Sequence, residues 1–249
     1  MVAVVSTPFP IPLGIRFQKD GEGEVSCALA LLKDLVGQLG RRFLEVLVGD
    51  ALYLQSPFVQ EVEGLGLDWA FTLKENQPEL LREAERFTQG PPAGGTSEAG
   101  RELRWWHLPE VDWPVADRLV RVIKTVRLDN QRRIEKKVEV TREITNFYAT
   151  NFQLGSIPVL LIHQLGRGRW RIDTEVFQTI TVDCHLKHPA VHQSTALVVL
   201  TMIRVLAYTL SLVFYQRQVR SHARRRCETF HEIAQRIGDW LVAPSLNTS

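Results

Sequence analysis

Two short β-rich runs constrain this chain more than any other feature: FLEVLV, Phe43 to Val48, and WAFTL, Trp69 to Leu73. Each is the length of a buried strand and is rich in β-branched or aromatic side chains. Helix-type sequence stands between and after them. Pro57 to Gly64 is a helix candidate, and Pro78 opens a second at Glu79 to Phe87. Upstream, Ser26 to Leu39 carries Ala28, Leu31, Leu32, Leu35 and Leu39 at helical spacing, with Gly40 as its stop. The alternation specifies an α/β fold in which the strands share one sheet.

The flanks fill in the plan. Val2 to Ser6 and Gly14 to Phe17 read as strands of a hairpin or meander, with Pro8, Pro10 and Pro12 interrupting any continuous ladder between them. Lys19 to Glu24 is a turn, and the Gly/Pro-rich Gln89 to Gly100 is a loop. From Leu103 to Phe152 the pattern is β-rich, as either further strands at the sheet edge or a small inserted β region. From Ser156 to Trp240 it is mostly helical. One domain is expected over 1–240, with a β-rich insertion at about 101–152, a helical part at about 156–240 and a tail at 241–249.

Composition excludes several classes. The 249 residues are 45% hydrophobic and 23% charged, which is globular and not disordered. The net charge of +2 announces no polyanion partner, but Gly166 to Cys227 holds ten Lys/Arg against three Asp/Glu, a local field suited to phosphate. Cys27, Cys184 and Cys227 are scattered, which argues for a reducing compartment and against a disulfide framework. Cys184, His185, His188 and His192 cluster, but no second group completes a zinc site. The N-terminus lacks the features of a signal peptide. Thr195 to Tyr215 is long and apolar enough for a membrane span, yet Arg204 sits mid-run, so a buried core helix is expected.

Two places offer chemistry. Asp50 directly follows the first buried strand, and acids at such strand ends stand on the rim of an α/β sheet. The stretch GRGRWRIDTE, Gly166 to Glu175, sets Asp173 and Glu175 behind Arg167, Arg169 and Arg171 and beside Trp170. On an α-helix Arg169 and Asp173 share a face, which reads either as a solvated salt-bridge face or as an acid that holds a metal beside an arginine that holds a phosphate. Trp170 either stacks on a base or packs. Carboxylates from a strand end and a nearby helix are the donor set that Mg²⁺ or Mn²⁺ prefers in phosphoryl transfer.

LVGDALY, then FTLKENQPELL, then RWRID-x-E-x-F together resemble the catalytic domain of bacterial insertion-sequence DDE transposases, whose fold is ribonuclease-H-like. The resemblance spans nearly the whole chain. It implies a mixed sheet flanked by helices, and metal-dependent DNA strand cleavage followed by strand transfer. Asp50, Ala51 and Tyr53 match the context of the family's second acid, and Lys74, Asn76 and Gln77 match the strand end that follows it. In the helical signature Y-x2-R-x3-E-x6-K, Arg169 and Trp170 match, and the acid position falls on Asp173, with Glu175 as a spare. The tyrosine position falls on Gly166 and the lysine position on Ile180, leaving Lys187 as the nearest downstream lysine.

The resemblance therefore implies Asp50 and Asp173 as ligands of Mg²⁺ or Mn²⁺, with Glu175 as substitute. It implies Arg169, Trp170, Arg171 and Lys187 as DNA contacts. It further implies transposon-end and target DNA and further copies of the chain as partners, with no membrane, in the bacterial cytoplasm at the nucleoid. No strand ending in Asp precedes Asp50: Asp20 lies in a turn and Asp34 in a helix. The family's first acid is accordingly expected upstream of Met1, and little activity is expected from this chain alone. The rival expectation is a catalytically inactive DNA-binding or multimerising remnant.

Overall fold

A computed structural model describes residues 2–5, 10–40, 42–98, 101–133, 138–153, 155–170, 172–182, 193–215, 217, 232, 235 and 239. Side chains are described for these except 2, 3, 5, 98, 130–133, 138–141 and 175. The chain divides into two compact units, Met1–Val4 with Gly14–Trp170, and Val5–Leu13 with Arg171–Ser249.

The first unit is built on β4 (Asp68–Leu73), the second of the two runs that constrained the sequence. Trp69, Ala70 and Phe71 are all fully buried, so the strand is covered on both faces. It lies parallel to β3 (Val46–Gly49), joined through a 3₁₀ turn at Ala51–Tyr53 and α2 (Ser56–Gly64). Before β3, α1 (Glu24–Leu39) buries Cys27, Ala28, Leu31, Leu32 and Leu35 and stops at Gly40, whose φ of 78° suits glycine. β1 (Val2–Val5) and β2 (Pro12–Arg16) form a separate two-stranded sheet.

After β4, Pro78 opens α3 (Pro78–Phe87), which buries Leu80 and Ala84. Four strands follow: β5 (Gly94–Glu98), β6 (Arg101–Trp113), β7 (Arg118–Arg133) and β8 (Val138–Thr150). They extend the same sheet in the order β3-β4-β8-β7-β6-β5. The β-rich stretch is therefore no separate body. β8 returns antiparallel to β4, pairing Ala70 with Thr150, and the Thr150 hydroxyl donates to the Trp69 carbonyl at 2.5 Å. Trp113, at the far end of β6, packs 6.4 Å from Trp69 and is 1% exposed, which makes it part of the central core. The mixed sheet flanked by helices is the architecture the sequence led us to expect.

Within the Gly/Pro-rich Gln89 to Gly100, where the composition predicts a loop, Gly94–Glu98 instead forms β5. Gly94 pairs with Trp105, and a Cβ at Gly94 would lie 2.5 Å from the indole. The glycine that signals a loop in sequence here lets a tryptophan lie across the edge strand. The RRIEKK hairpin tip falls largely outside the described residues.

α4 (Val159–Gly168) completes the first unit. It packs on β4, β7 and β8 in one core cluster through Ile162, with Ala70, Ile123, Tyr148 and Phe152.

The second unit contains a π-helical turn at Ile172–Phe177, α5 (Gln178–Val182) and α6 (Ser194–Phe214). Val176, Ile180, Tyr208 and Leu212 form its core, with Ile11 and Val205 against them. The buried core helix expected at Thr195 to Tyr215 is a helix, but not a buried one. Only Thr201, Tyr208 and Leu212 are buried, while Val199, Met202, Ile203, Leu206, Leu210 and Phe214 are exposed. The residues spaced to reach the Val176–Ile180 core make one narrow stripe, and the rest of this apolar helix lies outside it. The Cys184–His192 cluster, Arg220 to Arg226 and the tail at 241–249 lie outside the described residues.

Candidate active site and phosphate-binding residues

Asp50 stands at the C-terminal end of β3, one residue beyond the last paired position, Gly49 with Phe71. Its backbone is extended (φ −84°, ψ −175°), and it caps the 3₁₀ turn that follows: Oδ1 accepts from the Leu52 amide at 3.0 Å. The capping bond fixes the carboxylate at the rim of the sheet while leaving the residue partly exposed. Gly49 is required behind it, because a Cβ there would lie 2.9 Å from the Phe71 ring and 3.0 Å from Tyr53.

The turn after Asp50 is tied down from the neighbouring strand end. Asn76 donates to the Ala51 carbonyl at 2.6 Å, and Gln77 donates to that of Leu54 at 2.8 Å. Gln77 in turn accepts from the Trp113 indole at 2.8 Å. The asparagine and glutamine that the sequence singled out thus act as fasteners. They bond two carbonyls of the short turn, that of Ala51 also accepting from the Leu54 amide.

A second carboxylate comes to this turn from a distance. Tyr53 donates its hydroxyl to Glu24 Oε1 at 2.8 Å, at the first turn of α1. Burial raises the Tyr53 pKa well above the usual phenol range, and the bond to Glu24 and the charges of Glu24 and Asp50 add to the rise. The phenol therefore stays protonated and donating. Sequence reading missed Glu24. No local pattern links a helix-start glutamate to a tyrosine one strand and one turn later.

Asp173 is exposed and lies in the π-helical turn of the second unit. The regular α-helix expected through this acid is replaced by a wider turn with one more residue per hydrogen-bonded ring, a feature common at functional sites. Glu175 lies in the same turn, but its side chain is outside the described set, as are Arg171 and Lys187 altogether. The signature's lysine position, Ile180, is 2% exposed and packs in the Val176–Tyr208–Leu212 core. Its side chain contributes to folding and does not reach for phosphate.

Arg169 and Trp170 end the first unit. The Arg169 guanidinium lies over the Trp170 ring, 5.2 Å from its centroid, and the indole is 61% exposed. Gly166, at the signature's tyrosine position, is buried because the Tyr148 ring of β8 occupies the place where its side chain would be. Burial pushes the Tyr148 phenol up to about 12 against the opposing pull of Arg167, Arg169 and Arg127. An aromatic ring thus does stand in this corner, supplied by the sheet rather than by α4.

Among the described residues there is no group of three or more His, Cys, Asp or Glu placed to hold a metal. Asp50, partly exposed in the first unit, and Asp173, exposed in the second, each carry carboxylate oxygens, the donor type that fits a hard divalent cation. A family model described as the transposase DDE domain matches residues 1–210. No curated protein matches the chain.

Proposed function

Since the chain belongs to the transposase DDE-domain family, we propose that it is the catalytic part of an insertion-sequence transposase that cleaves and joins DNA strands with a divalent metal. The position of Asp50, capped at the end of β3 and held by the Asn76–Gln77 fasteners, carries this reading. In the reaction, water attacks a phosphodiester at the transposon end, and the strand leaves with a free 3′ hydroxyl. That hydroxyl then attacks a phosphodiester of target DNA, forming one P–O bond as another breaks.

Asp50 and Asp173 would hold Mg²⁺ or Mn²⁺, with Glu175 in the same turn as substitute for Asp173. The metal, when bound, activates the attacking oxygen and stabilises the leaving one. Arg169, with Arg171 and Lys187, contacts backbone phosphates, and the exposed Trp170 stacks on a base. DNA at the transposon end and at the target, and further copies of the chain, are the partners, in the cytoplasm at the nucleoid.

A second reading is favoured by one observation. Ile180 is buried at the position where the family signature has lysine, which suits a DNA-binding, multimerising protein without strand-transfer activity. Calorimetric titration of Mn²⁺ into the wild type, Asp50→Ala and Asp173→Ala, paired with nicking of labelled transposon-end DNA, separates the two. The active reading expects binding that both substitutions abolish and nicking that falls by roughly 10²–10³-fold in each. Absent metal binding and absent nicking with DNA still retained would establish the inactive reading.

A further inference from the structure

The sheet carries an unbalanced charge distribution in its β6–β7–β8 portion. Register fixes which residues share a face. Arg101 of β6 and Arg142 of β8 both stand opposite Asp129 of β7, one on each side. Arg127, two residues before Asp129 on the same strand, points to the same face. So does Thr125, whose hydroxyl meets His163 Nδ1 at 3.2 Å, and so does Tyr148, which abuts Gly166. This is therefore the face that α4 covers, and Arg167 in the last turn of α4 arrives beside it.

Asp129 is the one carboxylate among the described side chains at this end of the face, Asp112 lying opposite Leu119 at the other end, and it is shared. Arg127 binds its Oδ2 at 2.8 Å, while Arg101 stands 4.0 Å from its Oδ1. The Nε of Arg127 and Oδ1 of Asp129 are buried without a hydrogen-bond partner. Arg127 and Asp129 are only 19% and 12% exposed, whereas Arg101 is 72% exposed and Arg142 and Arg167 are also exposed. Two guanidiniums thus contact Asp129, Arg142 stands opposite it in the register and Arg167 feels its charge, so positive charge is in excess among the described side chains at this end of the face. Burial first, then Arg127 and last Arg101, lower the Arg167 pKa against the opposing pull of Tyr148 and Asp129. The opposite face of the same strands is balanced: Arg104 pairs with Glu102 at 2.6 Å and feels Glu143 as well.

We propose that Arg101, Arg127, Arg142 and Arg167, gathered round Asp129, form a phosphodiester-binding surface that holds the backbone of duplex DNA at the Arg101–Asp129–Arg142 end of the β6–β8 face, beside the last turn of α4. The inference rests on the DNA-processing reading and adds residues outside the acids and the Arg169–Trp170 pair. Two groups of adjacent guanidiniums straddling one acid suit a row of phosphates rather than a single small anion, because only the backbone offers charges at regular spacing.

The test is the salt dependence of binding of the full chain to a fluorescent duplex, compared across Arg101→Gln/Arg142→Gln, Arg127→Gln and Arg104→Gln, with circular dichroism melting to confirm folding. The exposed pair keeps the test open if Arg127→Gln fails to fold. The slope of log K against log salt is expected to fall by about 0.9 for each phosphate contact removed, hence by about 1.8 in the double variant, and to stay unchanged in Arg104→Gln. A wild type that binds DNA with a slope untouched by the double variant overturns the surface and leaves the transposase reading standing. A wild type that binds no DNA overturns both.

Discussion

His163, in the middle of α4, is buried with its ring edge-on to Tyr148, 6.1 Å between centroids. Burial, helped by Arg167 and Arg127, lowers its pKa from 6.5 to about 4. Between those values the unfolded chain takes up a proton that the folded chain refuses, so stability present above 6.5 is lost as pH falls towards 4. The slope reaches at most about 1.4 kcal/mol per pH unit. Thermal melting from pH 7 to 4 is expected to show this decline in the wild type and a shallower one in His163→Gln. Superimposable profiles would remove His163 from the account. At this scale Asp50 was legible, because a strand end followed by an acid is a local pattern. The pairings Glu24–Tyr53 and Tyr148–Gly166 were not, because each joins residues that only the folded chain makes neighbours.

Among the elements, β3, β4, α1, α2 and α3 lie within a few residues of their sequence readings, since each has a strong period and a glycine or proline boundary. β5 escaped because its GGTSE sequence has almost no side chain to signal a strand. Its place is supplied by Trp105 across the pair. Replacing Gly94 with valine should force the indole aside and release β5. Hydrogen exchange by mass spectrometry is expected to show faster exchange at 94–98, with a stability loss of about 1–3 kcal/mol and β4 still protected. Unchanged exchange would show that Trp105 does not hold the edge. The turn at Ile172–Phe177 escaped for a different reason. RIDTEVFQT satisfies an α-helical reading residue by residue, and nothing local announces the wider π-helical ring.

At the scale of the molecule, the proposed reading assigns two chemistries to different parts of the chain. In it the acids Asp50 and Asp173 would hold a hard cation, and the arginines of β6–β8 would hold phosphate. They should separate experimentally. Adding EDTA in excess is expected to abolish nicking while a duplex stays bound with the same salt slope, since guanidinium–phosphate contacts need no metal. Loss of DNA retention on chelation would mean that the metal also holds the duplex. The exposed apolar side of α6 belongs to this scale too. The sequence marked the segment as helical and apolar, but which residues would be covered depended on what packs beside it.

By itself the sequence determined the α/β class, most element boundaries, the strand-end acid and the family. These depend on periodicity, breakers and motif spacing, and such short-range features survive in a linear string. Tertiary structure decided that the β-rich stretch extends the central sheet. It also decided that Asn76 and Gln77 brace the turn after Asp50, and that the signature's lysine position is a core residue. It gathered Arg101, Arg127 and Arg142 on one face, because strand register is set by pairings between distant segments. A one-residue slip would send those side chains to opposite sides, and no reading of charge along the chain registers that difference.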